Sequence, residues 1–562
     1  MPKSLKKLLS DWAGAVDGSN LPQPPAYSGP DLLLTDLVEH SAQVTAGSCF
    51  IARVRTGTDG HAYIGQAITN GACLVLGQRD PNDLDVDLTR ITYLQAIDSA
   101  AAEAWLAAAW YDFPSRQLII TGVTGTDGKT TTVNILFNIL QTAGIRVGML
   151  STLKASIGGD EEPLALHVTT PEAPVVQQYL RRMVEAGLSH CILEVTSHGL
   201  AQERVGAVNF DVAVVTNITH EHLDYHGNYE AYLSTKAQLF EKLSTGIPAS
   251  PKTNLGERRG MPAGPVDPFG ANLDSLKPTA VLNQDDSSYT RLSAIPVPQR
   301  LTYGLGRQPG SPLPEISASD LVYGTHRTHF SLLLPQTAPL PVTASLVGSF
   351  NVYNMLAAAG AAFALAIDPQ LIRVGLESVQ QLDGRMQQVQ QGQSFQVVVD
   401  FAHTPNALAQ AIAAGRRICS SRLITVFGSA GKRDVDKRRL MAELSAREAD
   451  LTILTAEDPR TESLADILEM MATGCRSQGG REGHSFWRVP DRGQAIYFAV
   501  SLAQPGDLVL ICGKGHEQSM CFGVVEHPWD DVRAAETALE SFLAGKSMPD
   551  LGLPTYGQEP RL

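Results

Sequence analysis

Short apolar runs recur along this chain at the spacing expected of strands that alternate with helices. The clearest runs cover residues 118–120, 192–193, 212–215, 280–282, 397–399, 423–426, 451–454 and 508–511. Several of them end in polar residues that are able to do chemistry. The pattern predicts an α/β fold, in which a buried parallel sheet carries its site at the carboxyl ends of the strands.

The runs divide the chain into three blocks, and 562 residues exceed what one hydrophobic core supports. We predict domains at residues 1–112, 113–384 and 385–562. Segment 246–277 is rich in Pro, Gly and Ser and has no apolar periodicity, so it is predicted to be a surface insertion or a flexible loop.

Composition narrows the class of protein and its partners. Hydrophobic residues make up 43% and charged residues 18%, as in ordinary globular proteins. The net charge of −14 argues against a nucleic-acid partner or an anionic membrane. No stretch is long and apolar enough to be a membrane span, and the seven cysteines lack the pairing of a disulfide framework or a zinc ribbon. We expect a cytoplasmic protein.

The most informative segment joins an apolar run to a helical stretch. Residues 122–132 read Gly-Val-Thr-Gly-Thr-Asp-Gly-Lys-Thr-Thr-Thr. Such a turn points backbone N–H groups and a helix N-terminus at one spot, which suits a polyphosphate. The spacing is that of a Walker A loop, except that Val123 stands where the strict pattern has glycine. We predict a nucleotide site at Gly125, Thr126, Asp127, Gly128, Lys129, Thr130 and Thr131. The alternative is a plain strand-to-helix turn.

Other predicted strand ends also carry polar residues. Glu194 ends one strand, and a carboxylate beside a phosphate loop is an oxygen ligand for Mg²⁺. His220, His222 and His226 lie close together after another strand, where they either bind zinc or lie solvated in a loop. Asp400 ends a strand of the third block, and an acid there binds ribose hydroxyls.

Eight motifs occur in the order in which one family has them. They are GTDGKTT from 125, EVTSHGL from 194, TNITHEHLDYHG from 216, FNVYN from 350, GRM from 384, DFAHTP from 400, EDPRTE from 457 and GKGHE from 513. Through these motifs the chain resembles the Mur ligases, specifically the MurE type that adds the third amino acid of the peptidoglycan stem peptide. The resemblance runs from about residue 30 to 525, without 246–277.

The resemblance implies an ADP-forming amide ligase with three domains: a UDP-sugar domain, a central P-loop-type ATPase with a parallel sheet, and a C-terminal Rossmann-like domain that binds an amino acid. A carboxylate of UDP-MurNAc-L-Ala-D-Glu takes the γ-phosphoryl of ATP, and the amine of a diamino acid then attacks the acyl phosphate. We therefore expect ATP and Mg²⁺ as cofactors, small-molecule substrates and a monomer.

Site residues follow from the same resemblance. Lys129, Glu194, His222 and Lys236 are the implied catalytic residues. Thr130, Glu194, His222 and Lys236, the last as a carbamate, are the implied metal ligands. By pattern alone Lys236 is a lysine on a helix surface. Asn354, Arg385 and Asp400 are the implied contacts to the nucleotide, although helix capping is an alternative for Asn354 and for its neighbour Asn351.

Two further groups of residues match the family's substrate contacts. The acceptor positions are Ser41, Thr169, Thr170, Thr196, Gln202 and Arg204. The amino-acid positions are Arg433, Glu457, Asp458, Pro459, Arg460, Gly513 and Glu517. Arg460 favours diaminopimelate, because a guanidinium holds a distal carboxylate bidentately. Glu457 and Asp458 stand where the family usually has Asp-Asn, which adds a negative charge near the pocket. Because an acidic pocket is able to hold a distal ammonium, lysine and ornithine stay open as substrates.

Three departures from the family pattern keep alternatives open. His40-Ser41-Ala42 replaces the usual Asp-Ser-Arg near the uridine, the turn at 56–58 is unusual, and Asp127 replaces an asparagine in the phosphate loop. One alternative is a ligase of the same type that uses another carboxylate acceptor. Another is a noncatalytic or regulatory nucleotide-binding protein, which is disfavoured because Lys129, Glu194, His222 and Lys236 are all present.

Overall fold

A computed structural model describes residues 2–55, 57–152, 154–163, 169–219, 221, 223–244, 276–306, 312–324 and 327–557. His220, His222 and nearly all of segment 246–277 lie outside these ranges. Among the described residues, no helix combines the length and the apolar character that a membrane crossing requires.

The N-terminal block forms a small α/β unit. Its strands are β1 (Lys3–Ser4), β2 (Leu33–Leu34), β3 (Leu37–Val38), β4 (Cys49–Ile51), β5 (Val54–Arg55), β6 (Thr58–Asp59), β7 (Leu74–Gly77) and β8 (Thr92–Gln95), and its helices are α1 (Leu5–Val16), α2 (Ile64–Thr69) and α3 (Ser99–Trp110). Strands β3, β4, β7 and β8 pair in that order as a parallel sheet. Helix α3 begins at the cap of Asp98, whose carboxylate accepts hydrogen bonds from the N–H groups of Ala100 and Ala101.

The central block is built on one large sheet. Its strands are β9 (Ile119–Thr124), β10 (Val147–Leu150), β11 (Lys154–Ile157), β12 (Asp160–Pro163), β13 (His190–Glu194), β14 (Val212–Val215), β15 (Thr279–Asn283), β16 (Gln299–Gly304), β17 (Ile316–Tyr323), β18 (Thr328–Leu333) and β19 (Leu340–Ala344). Its helices are α4 (Lys129–Thr142), α5 (Ala173–Glu185), α6 (Ser197–Ala201), α7 (Leu223–His226), α8 (Tyr229–Glu241), α9 (Tyr289–Leu292), α10 (Ser349–Ala364) and α11 (Pro369–Ser378).

Within the described residues the strand order of this sheet is β12-β11-β10-β13-β9-β14-β15-β16-β17-β18-β19. The strands from β10 to β17 pair in parallel and both edges are antiparallel. The predicted parallel sheet is therefore present as the middle of a mixed sheet. Because β13, β9 and β14 are neighbours, the segments after their carboxyl ends lie side by side, and these segments carry the predicted site.

The C-terminal block is a second α/β unit, as predicted. Its strands are β20 (Gln387–Gln388), β21 (Gln396–Asp400), β22 (Leu423–Phe427), β23 (Leu451–Leu454), β24 (Phe486–Arg488), β25 (Leu508–Cys512), β26 (Ser519–Phe522) and β27 (Val525–Pro528), and its helices are α12 (Pro405–Ile418), α13 (Asp436–Glu448), α14 (Leu464–Ser477), α15 (Arg492–Leu502) and α16 (Asp531–Leu543). The order β20-β21-β25-β22-β23-β24 is parallel apart from β20, and its core packs around the β21, β22 and β25 side chains.

Candidate functional site

The turn between β9 and α4 has the backbone that a phosphate loop needs. Gly125 has φ +148° and Gly128, the N-cap of α4, has φ +83°. A Cβ on Gly125 would lie 1.9 Å from Thr216 Oγ1, and one on Gly128 would lie 2.2 Å from Asn354 Oδ1. Only glycine combines this backbone with such close neighbours, so both glycines are required by the turn.

The neighbouring strand end holds the loop in place. Thr216 Oγ1 and Asn217 Nδ2, which follow β14, donate to the Asp127 carbonyl at 2.6 and 3.0 Å. The Asp127 N–H donates to Asn217 Oδ1 at 3.1 Å. These bonds, and that from the Thr126 N–H to the Asn217 carbonyl at 2.7 Å, fix the loop. None of the described hydrogen bonds uses the N–H groups of Gly128, Lys129 and Thr130, which are left to face a ligand.

Lys129 and Thr130 open helix α4 and lie on the loop. Lys129 Nζ donates to the carbonyls of Gly125 and Thr126 at 3.0 and 2.8 Å. Thr130 Oγ1 lies 3.0 and 3.1 Å from the two carboxylate oxygens of Glu194, at the end of β13. The structure therefore brings the predicted lysine, hydroxyl and carboxylate together.

Glu194 is buried although it is an acid. It is 2% exposed, and its Oε2 also accepts a hydrogen bond from the Thr152 N–H at 3.0 Å. A carboxylate beside a hydroxyl at the mouth of a phosphate loop is a set of hard oxygen donors, which is what Mg²⁺ prefers.

Lys236 differs from its pattern-based prediction as a surface lysine. It lies on α8 but is 1% exposed, and its Nζ donates to the Gly125 carbonyl at 2.8 Å. Burial, helped by the nearby charge of Lys129, lowers the pKa of Lys236 well below its usual value. The residue faces the phosphate loop, as the family resemblance implied.

The histidines of segment 216–226 are described only in part. His222, the implied catalytic and metal-binding histidine, lies outside the described residues, as does His220. The ring of His226 packs against the rings of Tyr225 and Tyr232, with centroids 4.8 and 5.3 Å away. The zinc alternative for the three histidines therefore stays untested.

The residues predicted to contact the nucleotide lie on two blocks. Asn354 is inside α10, not at its cap, and Thr132 Oγ1 lies 3.5 Å from its Oδ1. The Asp400 carboxylate accepts hydrogen bonds from the N–H groups of Met386 and Ala402 at 2.7 and 2.8 Å, and burial raises the pKa of Asp400. The guanidinium of Arg385 lies 4.6 Å from the ring centre of Phe401.

A side chain of the C-terminal block reaches the phosphate loop itself. Asn406 Nδ2 donates to Asp127 Oδ2 at 2.8 Å, so the unusual aspartate of the loop ties the two blocks together. Burial and the nearby charge of Glu221 raise the pKa of Asp127. The Asp127 carboxylate is bonded to Asn406, and this contact accommodates an acid in the phosphate loop.

The predicted acceptor residues fall into two places. Thr170 Oγ1 lies 3.1 Å from Thr196 Oγ1, and the Thr170 carbonyl accepts from Arg204 Nη1 at 2.7 Å. Arg204 also donates to Gln202 Oε1 at 2.7 Å. Thr169 precedes this group. Ser41 lies elsewhere, in the N-terminal block, where its Oγ donates to Gln66 Oε1 at 2.7 Å.

The predicted amino-acid residues gather at the ends of β23 and β25. Lys514 Nζ donates to Asp458 Oδ1 at 3.0 Å and pairs with Glu517 as well. Gly513, at φ +113°, leaves room for Glu457, whose Oε2 is 2.4 Å from where a Cβ would stand. Arg460 and Pro459 share this turn, whereas Arg433 is exposed.

Sequence reasoning missed several residues of this cleft. Thr216 and Asn217 stand in the TNITHEH motif, Asn406 follows DFAHTP directly, and Lys514 is part of GKGHE. Their position inside recognised motifs was the available signal. Their partners were not readable, because the bond from Asn406 to Asp127 spans 279 positions of the chain.

The strand, glycine turn and helix, with a carboxylate at the next strand end, define the class as a P-loop-type α/β protein. The Mur ligase middle domain matches residues 123–249 and 271–362, and the Mur ligase glutamate ligase domain matches residues 384–515. The matched pieces of the middle domain leave out 250–270, inside the predicted insertion.

Relatives extend the match to most of the chain. UDP-N-acetylmuramyl-tripeptide synthetase of Roseiflexus sp. (strain RS-1) is 38% identical over 520 residues, 92% of this chain and 96% of that protein. UDP-N-acetylmuramoyl-L-alanyl-D-glutamate--2,6-diaminopimelate ligase of Geobacillus kaustophilus (strain HTA426) is 35% identical over 515 residues, 91% of this chain and 95% of that one.

One solved structure of a UDP-N-acetylmuramoyl-L-alanyl-D-glutamate--2,6-diaminopimelate ligase is 29% identical, with a TM-score of 0.58 over 91% of this chain and 96% of that one. The chain belongs to the Mur ligase family. The predicted family and α/β architecture are confirmed, and the enzyme is a ligase.

Proposed function

We propose that this protein joins a diamino acid to UDP-MurNAc-L-Ala-D-Glu with ATP, releasing ADP and phosphate, in the cytoplasmic synthesis of peptidoglycan. The proposed domains are residues 1–112 for the UDP-sugar, 113–384 for ATP and 385–562 for the amino acid. We also propose that the protein acts as a monomer and that its substrates are small molecules. The names of the two relatives described above, which this chain covers almost in full, support these substrates.

One observation carries the proposal: Thr130, Glu194 and Lys236 converge on the loop that begins at Gly125. The loop presents N–H groups and a helix N-terminus to the phosphates of ATP, and Lys129 swings from the loop carbonyls to the terminal phosphates. Phosphoryl transfer to a carboxylate brings two anions together, so positive charge at this point lowers the barrier.

The metal proposed for this cleft is Mg²⁺. Thr130 and Glu194 would hold it, together with His222 and a carbamate on Lys236 as the resemblance implies. When bound, the ion neutralises charge on the phosphates. The described residues fit this role, because Glu194 is buried next to a hydroxyl and carries no guanidinium or ammonium partner in the described hydrogen bonds.

Lys236 suits modification to a carbamate. Only a neutral amine adds to CO₂, and burial keeps the pKa of Lys236 well below its usual value. The nearby charge of Lys129 favours an anion at this position once it forms. The contact of Lys236 Nζ with the Gly125 carbonyl supports a role for the modified group at the loop.

The reaction proceeds in two steps on this scaffold. An oxygen of the acceptor carboxylate attacks the γ-phosphorus of ATP, and the bond to the bridging oxygen of ADP breaks. The amine of the diamino acid then attacks the acyl carbon, loses a proton, and phosphate leaves as the amide forms. Residues of the C-terminal block position the amine, and the bond from Asn406 to Asp127 keeps that block at the loop.

The contacts of Asp458 bear on which diamino acid is used. Its carboxylate accepts a hydrogen bond from the Lys514 ammonium. The charge of Asp458 is therefore neutralised within the protein and is not left to bind a distal ammonium of the substrate. Arg460 Nε is buried and has no hydrogen-bond partner in the described residues. This pattern favours a distal carboxylate, and we propose meso-diaminopimelate as the substrate over lysine or ornithine.

The test measures phosphate release by the pure protein with ATP, Mg²⁺ and UDP-MurNAc-L-Ala-D-Glu, with each diamino acid in turn. We expect release that needs both cosubstrates and is fastest with diaminopimelate. Equal or faster release with ornithine or lysine would overturn the amino-acid choice. Turnover only with another carboxylate acceptor would show that UDP-MurNAc-L-Ala-D-Glu is not the acceptor. ATP binding without turnover in any mixture would indicate a noncatalytic nucleotide-binding protein.

A further inference from the structure

A second group of charged residues lies where the N-terminal block meets the central block. We call it the junction cluster and define it as Glu39, Arg53, Arg55, Glu103, Glu172 and Arg204. The first four belong to the N-terminal block, whereas Glu172 directly precedes α5 and Arg204 follows α6 in the central block. The family motifs quoted above do not include Arg53, Arg55 or Glu103.

The cluster connects the two blocks through explicit contacts. Arg55 Nη2 lies 2.5 Å from Glu39 and 3.3 Å from Glu172, so it bridges an acid of each block. Arg53 pairs with Glu103 and donates to the Gln202 carbonyl at 3.0 Å. Arg53 and Glu103 are almost wholly buried, where a lost partner is costly.

The central-block ends of these contacts are proposed acceptor-binding residues. Glu172 Oε1 lies 3.0 Å from Arg204 Nη2, which donates to Gln202 Oε1 as well. Arg204 in turn donates to the Thr170 carbonyl at 2.7 Å. Burial, together with the like charges of Arg55 and Arg53, lowers the pKa of Arg204, in keeping with three guanidiniums in one place.

We propose that Arg55 and Glu172 are positioning residues for the acceptor site: Arg55 holds Glu172, and Glu172 holds Arg204 and Gln202 in the arrangement that binds the acceptor. The inference rests on the proposed function for its substrate. It adds that the N-terminal block shapes the acceptor site from a distance, through a charge bridge that does not itself touch the acceptor.

The test uses two variants of the bridge and a matched control. Arg55→Gln and Glu172→Gln each remove one charge of the bridge. Arg181→Gln removes an arginine on α5 that lies 3.8 Å from Asp112 and 2.8 Å from Glu185, so it loosens the same junction without touching Arg204 or Gln202. Arg55→Lys keeps the charge and is the conservative variant.

Steady-state kinetics give the first readout. In Arg55→Gln and Glu172→Gln the KM for the acceptor rises about tenfold, as expected for a lost charged contact, while kcat and the KM for ATP stay within about twofold. Arg55→Lys restores most of the acceptor affinity, and Arg181→Gln matches the wild type. An equal rise in Arg181→Gln, or a loss confined to kcat, overturns the proposal.

Hydrogen exchange gives a readout that needs no substrate. Peptides covering residues 196–206 exchange faster in Arg55→Gln and Glu172→Gln than in the wild type or Arg181→Gln, and peptides of α4 do not change. Unchanged exchange at 196–206 overturns the proposal. If the wild type neither binds nor uses UDP-MurNAc-L-Ala-D-Glu, the proposed function fails, and the exchange experiment still decides the positioning role.

Discussion

The phosphate loop and the junction cluster make up their sites in opposite ways. The loop draws its groups from seven consecutive residues, 125–131, and works through backbone N–H groups that two glycines allow. The cluster draws six side chains from positions between 39 and 204 and depends on how two blocks pack. Local sequence therefore fixes the first site, and tertiary packing fixes the second.

This difference has an energetic side. Backbone donors cost little to preorganise, since the turn orders them whatever the neighbouring side chains are. Buried ion pairs are costly to desolvate and are sensitive to the loss of one partner. Substitutions at the loop should therefore change turnover or ATP binding, whereas substitutions in the cluster should change acceptor affinity, hydrogen exchange and the pH dependence of stability.

The largest effect is expected for Lys129→Ala. The variant removes positive charge from the terminal phosphates in the transition state, so kcat falls by about 10³-fold or more. ADP release under saturating substrates measures it. Lys7→Ala, an exposed lysine on α1, is the control. Near-normal turnover in Lys129→Ala would mean that the loop does not stabilise the transition state, and its contrast with the junction cluster would fail.

A pair of lysines, the buried Lys236 and the half-buried Lys242, sharpens the comparison further. Lys236 contacts the Gly125 carbonyl, whereas Lys242 donates to the Gly206 carbonyl at 3.0 Å. Burial lowers the pKa of both. We expect Lys236→Met to lower kcat by about 10²-fold, comparable with the loss of one preorganised charge, and Lys242→Met to keep it.

The same kinetic assay, combined with circular dichroism, separates the two lysines from a folding defect. Both variants put a methionine in place of an ammonium whose pKa burial lowers, so circular dichroism shows for each whether the fold is kept. Equal loss of kcat in the two variants, with the fold intact, would mean that position at the loop is irrelevant and that Lys236 is structural.

Two glycines that flank α4 test whether the loop needs its close neighbours or only its backbone. Gly128 and Gly144 both have positive φ, +83° and +73°, but only Gly128 has a neighbour, Asn354, in the space of a Cβ. Gly128→Ala should raise the KM for ATP by about tenfold because the Asn354 amide must move. Gly144→Ala should cost only about 1 kcal/mol of stability, through its backbone. Equal ATP affinities would refute the Asn354 contact.

The fold was predictable where strands are buried on both faces. The eight apolar runs all coincide with strands, because a strand in the middle of a parallel sheet is apolar throughout. The antiparallel strands β17–β19 were not predicted. Residues Thr328–Leu333 alternate between buried positions and exposed or half-buried ones, so no continuous apolar run marks this strand.

Site residues were predictable where a motif is local. The loop residues and Glu194 follow from adjacent sequence, and the structure brings them together. Lys236 was readable only through the family, because its partner Gly125 is 111 positions away. The bridge from Arg55 to Glu172 had no signal at all, since each is an ordinary charged residue in its own segment and only packing makes them partners.

The substitution expected to change turnover least concerns the protonation of Glu103, which acts on stability. Burial, together with a hydrogen bond to Glu39, raises the pKa of Glu103 well above its ordinary value of 4.5, despite the neighbouring Arg53. For Glu39, burial is outweighed by that bond and by the charges of Arg55 and Arg53, so its pKa is lowered. Of these two acids, Glu103 therefore holds a proton to higher pH than Glu39 does.

The sign of the pH dependence follows from this assignment. The native state binds the Glu103 proton more tightly than the unfolded chain does, so its share of stability is lost as pH rises above about 4.5 toward the native pKa, by about 1.4 kcal/mol per unit. Glu103→Gln has nearly the shape of the protonated glutamic acid, but its side chain does not titrate. Its urea-unfolding midpoint relative to wild type should rise between pH 5 and 8, while Glu185→Gln, an exposed control on α5, shows no such trend. A relative midpoint that falls with pH would mean that Glu103 is ionised against Arg53, and the cluster would then be an ordinary set of ion pairs.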